Sequence, residues 1–207
     1  YAFISILYIA ILFLCPESYR KTALALIILS DPAMLGYFFI GGIWLLEKGE
    51  GLHGYWGITP LRPIEYVLSK AVSLAVISVI SAGFTAAITL GTSVNLFLLA
   101  LDVFAGSMIF TVAGLFVASY ARSVNHYMLL ATPFAVFAIT PPILAAFSIT
   151  HPIFWLFPGM ALWRVIGDSI GLADKISVLP YLILAIWFGA VLLSACGRMP
   201  RAMQAEG

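Results

Sequence analysis

Long runs without Asp, Glu, Lys or Arg follow one another along the chain, and these runs are apolar at every position rather than at alternate ones. A membrane-spanning helix needs about 20 mostly apolar residues. The pattern predicts six spans, which lie near residues 1–15, 31–46, 66–90, 96–120, 124–147 and 177–196. Because membrane β-strands would alternate in polarity over about 10 residues, we expect an all-α integral membrane protein with one transmembrane domain.

The apolar stretch 151–170 is interrupted by a His-Pro pair and a Pro-Gly pair. Such pairs mark turns and loops. We therefore expect a re-entrant or interfacial segment before the sixth span, with Trp155 and Trp163 at the depth of the lipid headgroups.

Alternation of the six spans places the loop 47–65 and the C-terminus on the same side of the membrane. That side carries six of the ten Lys and Arg residues, and four are on the other side. Since cytoplasmic loops carry the excess of positive charge, we expect both regions to be cytoplasmic. The chain opens inside an apolar run without an initial Met, so we also expect a natural N-terminal segment to be missing.

The composition supports the membrane interpretation and narrows the function. Hydrophobic residues make up 63% of the chain, charged residues make up 9%, and mean hydropathy is +1.09, whereas soluble domains carry about 25% charged residues. Ten Lys and Arg against nine Asp and Glu leave no basic excess for nucleic acid. No P-loop, metal-ligand or G-x-S-x-G motif is present in the sequence, so we expect neither an enzyme nor a cofactor or metal site.

Two acids lie within or beside apolar runs, where charged residues are functional candidates by default. Asp31 follows Ser30 and precedes Pro32, an order typical of a helix N-cap followed by Pro at the first helical position. We interpret Asp31 as the cap that starts the second span, after an outer interfacial stretch at 18–29. Asp102 lies early in the fourth span, where either a structural role or contact with a polar or cationic substrate is open.

The segment after the second span has the most specific pattern. Glycines at 49 and 51 loosen the exit from the span, and residues 51–58 have the length of two helical turns. Thr59-Pro60 ends that helix, because the residue before a proline disfavours the helical conformation. Glu65 suits the positive end of the next helix. We expect a short amphipathic helix on the cytoplasmic face between the second and third spans.

The order of residues in this segment resembles that in the first cytoplasmic loop of the permease subunits of type-2 ABC transporters. The matching residues are Glu47, Glu50, Gly51, Thr59, Pro60, Glu65, Tyr66 and Lys70. The Asp31-Pro32 pair and the run at 36–41 are most similar to the subgroup of fluoroquinolone or drug export permeases. The elbow helix that precedes the first span in this family is not in the sequence.

The resemblance implies the membrane subunit of a bacterial or archaeal ABC exporter in the inner membrane, which moves a small amphiphilic substrate or drug by alternating access. Its partners would be a second permease copy or homologue, membrane lipid, and separate P-loop ATPase subunits that bind the ATP and Mg. The short helix would be the coupling helix that docks on the ATPase. The implied coupling residues are Glu47, Glu50, Gly51, Leu52, Tyr55, Trp56, Thr59 and Glu65.

Within that set, Tyr55 and Trp56 are the expected aromatic anchors, and Glu47 and Glu50 are expected at the rim of the docking surface. Two alternatives stay open. The same architecture exports lipid, haem or polysaccharide precursors, and a membrane scaffold or assembly factor without transport would share the composition.

Overall fold

The computed structural model describes residues 2–58, 62–172 and 178–204, without the side chains of residues 2, 56–58, 92, 203 and 204. The described part contains helices and no strands. The α-helices are α1 Ala2–Leu14, α2 Glu17–Ser30, α3 Leu35–Gly49, α4 Leu52–Ile58, α5 Pro63–Leu90, α6 Leu96–Ala118, α7 Val124–Ala146, α8 Pro158–Ser169 and α9 Val178–Gln204. Short 3₁₀ turns cover Gly91–Ser93 and Pro152–Leu156.

Five segments of the described chain are long and apolar enough to span a membrane, as expected of a multi-pass membrane protein. They are Glu17–Gly49, Pro63–Leu90, Leu96–Ala118, Val124–Ala146 and Val178–Ala202. The first predicted span corresponds to α1, whose 13 residues rise only about 20 Å, less than the ~30 Å apolar core of a bilayer. The count of six spans therefore stays a prediction.

The second span differs from its predicted form in the position of Asp31. Asp31 lies at the C-terminal end of α2, where its N–H donates to the Ile27 carbonyl. A turn follows, and α3 begins only at Leu35, after Met34, whose side chain caps nothing. The N-cap interpretation of Asp31 is wrong, since Pro32 lies in the turn between two helices and starts neither of them. Asp31 lies instead beside Tyr8 of α1, within reach of its hydroxyl.

The stretch 18–29, predicted to lie at the outer interface, is part of the helix bundle. Helix α2 buries one face, which consists of Leu24, Ala25, Ile28 and Leu29. That helix packs against α7 and α8. The candidate span is consequently a broken helix of 33 residues, longer than the predicted 31–46.

Helix α6 lies at the centre of the bundle and packs against α3, α5, α7, α8 and α9. Small residues allow these close approaches. A Cβ atom on Gly114 would lie 2.6 Å from the Tyr37 carbonyl oxygen of α3. On the α5 side, the hydroxyls of Ser78 and Ser107 are 3.0 Å apart and buried. The core is therefore held by close backbone contact together with hydrogen bonds between helices.

Helix α8 follows a path back into the bundle. It begins against the middle of α7, where a Cβ on Gly159 would lie 1.8 Å from the Ala138 carbonyl oxygen. It ends where the Ser169 carbonyl accepts a 3.0 Å hydrogen bond from the N–H of Asn95, just before α6. The chain thus turns inward after α7 and returns to the same end of the bundle. Trp163 is buried in this packing, so it is not the surface anchor that the sequence predicts.

Side-chain contacts divide the loops between two ends of the bundle. At one end, α4 packs against α9, and the Arg198 guanidinium of α9 lies 4.3 Å from the Tyr120 ring centre. At the other end, the Lys21 ammonium donates to the Gly171 carbonyl over 3.0 Å. This division matches the alternation from which the sidedness was predicted. We name the two ends the α4 end and the α8 end.

Candidate functional site

A tight turn leads from α3 into α4. Glu50 ends α3, and Gly51 follows with a φ of +70°, a conformation that glycine adopts without the steric cost that other residues incur. The Gly51 N–H donates to the Lys48 carbonyl over 3.1 Å. The predicted helix between the second and third spans is thus present as Leu52–Ile58, and its predicted stop at Thr59 and Pro60 lies outside the described residues.

One side of α4 is fixed to the neighbouring helices through His53. This side chain is 1% exposed, and its ring stacks on Trp44 of α3 with 4.0 Å between centroids. Trp44 in turn meets Tyr66 of α5 edge to face at 6.2 Å. Sequence reasoning missed His53, because a helix of seven residues is too short for its periodicity to show which side is buried.

Glu47 connects α3 to α5 through buried contacts. Its carboxylate accepts a 2.5 Å hydrogen bond from the Tyr66 hydroxyl and forms an ion pair with the Lys70 ammonium. Only 8% of Glu47 is exposed, so its predicted place at an exposed docking rim is wrong. We call Trp44, Glu47, His53, Tyr66 and Lys70 the α3–α5 joint.

The other side of α4 faces outward. Tyr55 is 66% exposed, Glu50 and Gly51 are exposed, and Leu52 is half-buried. Trp56 lies in α4, but its side chain is outside the described residues. The predicted anchor Tyr55 therefore lies on an accessible surface, with the joint directly behind it.

Glu65 stabilises the start of α5. The Arg62 N–H donates to its carboxylate over 2.9 Å, and the Glu65 N–H donates to the Arg62 carbonyl. A carboxylate in the first turn also interacts favourably with the helix dipole. This is the position that the sequence predicts for Glu65, and its local role is to cap the helix.

Asp102 lies towards the α8 end, about 9 Å along α6 from the first residue of that helix. It is 1% exposed, and its carboxylate accepts a hydrogen bond from the Ser169 hydroxyl of α8. Tyr181 of α9 and Asp168 of α8 also interact with it. Neither partner helix was connected with Asp102 from the sequence, because 67 residues separate it from Ser169.

An apolar cavity of about 340 Å³ lies between α6 and α9. Its lining residues are Phe104, Ala105, Met108, Ile109, Tyr181, Leu184, Ala185 and Phe188. Tyr181 both lines the cavity and interacts with Asp102. Within the described residues, no group of three His, Cys, Asp or Glu side chains is placed to hold a metal.

The comparisons with known proteins agree on one family. The sequence profile of the fluoroquinolones export permease protein family matches residues 1–203. Two curated relatives, from the CDC 1551 / Oshkosh and H37Rv strains of Mycobacterium tuberculosis, are each named fluoroquinolones export permease protein. Each is 27% identical over 180 residues, which cover 86% of this chain and 75% of the relative. No solved structure matches the chain. This chain has five candidate spans and matches the family along almost its whole length. It belongs to the fluoroquinolones export permease protein family.

Proposed function

We propose that this chain is the membrane subunit of an ATP-driven exporter, and that α4 is its contact with a separate ATPase. The observation that carries the proposal is the two-sided packing of α4. His53 fixes one side to Trp44 of α3, while Tyr55 on the other side is 66% exposed. A short helix that packs against α3 and α9 on one side and is exposed on the other has the form of a mechanical link.

The α3–α5 joint gives that link a route into the membrane. Displacement of α4 acts on Trp44 through the stacked His53 ring, and Glu47 ties the same helix to Tyr66 and Lys70 of α5. Both spans pack on α6. ATP and Mg would bind the ATPase and not this chain, and the cycle would alternate access for a small amphiphilic drug. For the ATPase to change the population of the two permease conformations, it must bind them with different affinities.

The remaining partners and the location follow from the same proposal. A second copy of the chain or a homologue would complete the transport path, and the complex would lie in the cell membrane with the α4 end in the cytoplasm. The small excess of Lys and Arg on that side supports this orientation.

Co-purification of the ATPase with the tagged permease tests the docking surface. We expect Tyr55→Ala to weaken the association about tenfold, because exposed aromatic anchors dominate interfaces. Tyr19→Ala is the matched control, since Tyr19 is also 66% exposed but lies in α2, close to the α8 end. Equal ATPase recovery with wild type and both variants, at equal expression, would contradict docking on α4.

Cysteine labelling tests the orientation. In a chain with Cys15 and Cys196 replaced by Ala, Gly54→Cys and Ser93→Cys place single thiols at opposite ends of α5. We expect a membrane-impermeant maleimide to label Ser93→Cys in intact cells and to label Gly54→Cys only after lysis. Labelling of Gly54→Cys from outside would reverse the orientation and remove α4 from the reach of a cytoplasmic ATPase.

A further inference from the structure

We propose that Asp102 and Tyr181 form the polar end of a binding site for a cationic aromatic amphiphile, whose apolar part occupies the cavity between α6 and α9. This site rests on the proposed export function and deepens it, because it specifies where a substrate binds and which charge it carries. Three observations carry the inference: incompletely satisfied polar atoms, the absence of a cation among the described side chains that interact with Asp102, and the form of the cavity.

The polar atoms at this place are buried and incompletely satisfied. Asp102 Oδ2 accepts from Ser169, but Asp102 Oδ1 has no partner in hydrogen-bond geometry within the described residues. The Tyr181 hydroxyl, which is also shielded from solvent, interacts with Asp102 but has no partner in hydrogen-bond geometry within the described residues either. Buried polar groups in native proteins are nearly always hydrogen-bonded. Asp102 and Tyr181 thus interact without a well-formed hydrogen bond, which leaves Asp102 Oδ1 open to a further group.

The charge of that group follows from the surroundings of Asp102. Among the described residues, the side chains that act on its carboxylate are Ser169, Tyr181 and Asp168, and none of them is a cation. A charged group within a membrane protein is normally paired with an opposite charge or marks a substrate pathway. The neighbouring Asp168 interacts with Arg164 of the same helix as well as with Asp102. Because no described cation acts on Asp102 itself, an ammonium or a delocalised cation is the group that this place favours.

The cavity supplies the rest of the ligand's environment. Its volume of about 340 Å³ falls in the lower part of the range of about 300–1,000 Å³ that drug-sized ligands occupy. Phe104 and Phe188 line it together with Tyr181, and such rings pack against planar aromatic ligands and attract cations through their faces. A lipid chain would fill the apolar part and leave Asp102 uncompensated, so charge complementarity favours the cationic amphiphile.

Dye binding to the purified permease in nanodiscs of neutral lipid, without ATPase, tests the site. Rhodamine 6G is the cationic aromatic probe, and Nile red is a neutral aromatic probe of comparable shape. We expect Asp102→Asn to weaken rhodamine 6G binding by about tenfold, because removing one partner of a buried charge pair is costly. Nile red binding should stay within about twofold of wild type, since it involves no charge pair.

Two further variants locate the site. Ala185→Phe adds volume at the open wall of the cavity, where Ala185 is exposed, and should weaken binding of both dyes. Asp31→Asn, which removes an acid outside the cavity, should change neither. The proposed site would be contradicted if rhodamine 6G binds Asp102→Asn or Ala185→Phe as well as it binds wild type. It would also be contradicted if rhodamine 6G does not bind wild type. Equal binding of both dyes to wild type, unaffected by Asp102→Asn, would identify an apolar groove for lipid.

The dye-binding experiment and the ATPase co-purification test two different proposals, and either proposal can be contradicted without the other. Dye binding is measured on the permease alone, so a charge-dependent result stands even if Tyr55→Ala leaves ATPase recovery unchanged. A loss of ATPase recovery with Tyr55→Ala, combined with charge-independent dye binding, would leave the exporter proposal intact and remove this site from it.

Discussion

Within the described residues, each end of the bundle buries one acid, and the two acids have different partners. At the α4 end, Glu47 is 8% exposed and is satisfied by the Tyr66 hydroxyl and the Lys70 ammonium. Towards the α8 end, Asp102 is 1% exposed, accepts a hydrogen bond from Ser169 and interacts with Tyr181. The first acid is paired with a cation, whereas no cation among the described residues acts on the second.

The difference supports the mechanical role that we propose for the α3–α5 joint and the binding role that we propose for Asp102. A buried ion pair with additional hydrogen bonds holds its helices in one geometry, and removal of one partner is strongly destabilising. A buried acid without a cation costs stability, and such residues within membranes are usually functional. The α3–α5 joint therefore suits transmission of movement, whereas Asp102 suits recognition of a charged molecule.

The largest expected effect concerns the packing that supports Asp102. Gly159→Ala places a Cβ 1.8 Å from the Ala138 carbonyl oxygen, so α8 must move away from α7 and carry Ser169 with it. Overpacking against backbone should cost about 3 kcal/mol, measured by thermal unfolding in detergent. Gly83→Ala is the control, since no atom lies within 4 Å of the added Cβ. Equal unfolding temperatures for both variants would show that α8 is not held at Gly159.

A smaller but clear effect is expected at the α3–α5 joint. Glu47→Ala leaves the Lys70 ammonium and the Tyr66 hydroxyl without their carboxylate, which should cost about 2–3 kcal/mol. Glu50→Ala, three residues away and exposed, should change stability by less than about 0.5 kcal/mol. Urea or thermal unfolding of both variants measures the difference. A Glu47→Ala variant as stable as Glu50→Ala would show that the joint does not hold α3 to α5.

The smallest effect is expected at Asp102 itself. Asn retains a carbonyl oxygen for the Ser169 hydroxyl and removes a buried charge that no described cation neutralises, so Asp102→Asn should change stability by less than about 1 kcal/mol. The same unfolding assay applies. A loss as large as that of Glu47→Ala would mean that Asp102 is a structural anchor, and the contrast between the two ends would disappear.

Local patterns predicted the elements that depend on short stretches of sequence. The apolar runs predicted both ends of α5, α6 and α7 to within three residues, and the start of α9, although α9 continues to Gln204, beyond the predicted end at 196. Hydrophobicity alone decides which helices are long enough to span a membrane. Glu65 was correctly placed at the start of α5, since a cap is made within one helical turn. The helix between the second and third spans was predicted from its glycines and length.

Asp31 shows where local reasoning is ambiguous. Ser-Asp-Pro is typical of a helix start, yet Pro32 equally ends a preceding helix because it cannot donate a backbone hydrogen bond. In the structure, Asp31 and Pro32 follow the end of α2, and the buried face of α2 packs on α7 and α8. That packing involves residues more than 90 positions away, and no short window of sequence contains them.

The sequence by itself determined that the chain is helical and membrane-embedded, where α5, α6 and α7 begin and end, and which family it belongs to. Only the tertiary structure decided that Glu47 points inward to Tyr66 and Lys70, that His53 fixes α4, and that Asp102 meets helices α8 and α9. The physical reason is that hydropathy sets the length of each span but not its rotation. In helices that are apolar on every side, rotation is set by close approach at small residues and by hydrogen bonds between helices.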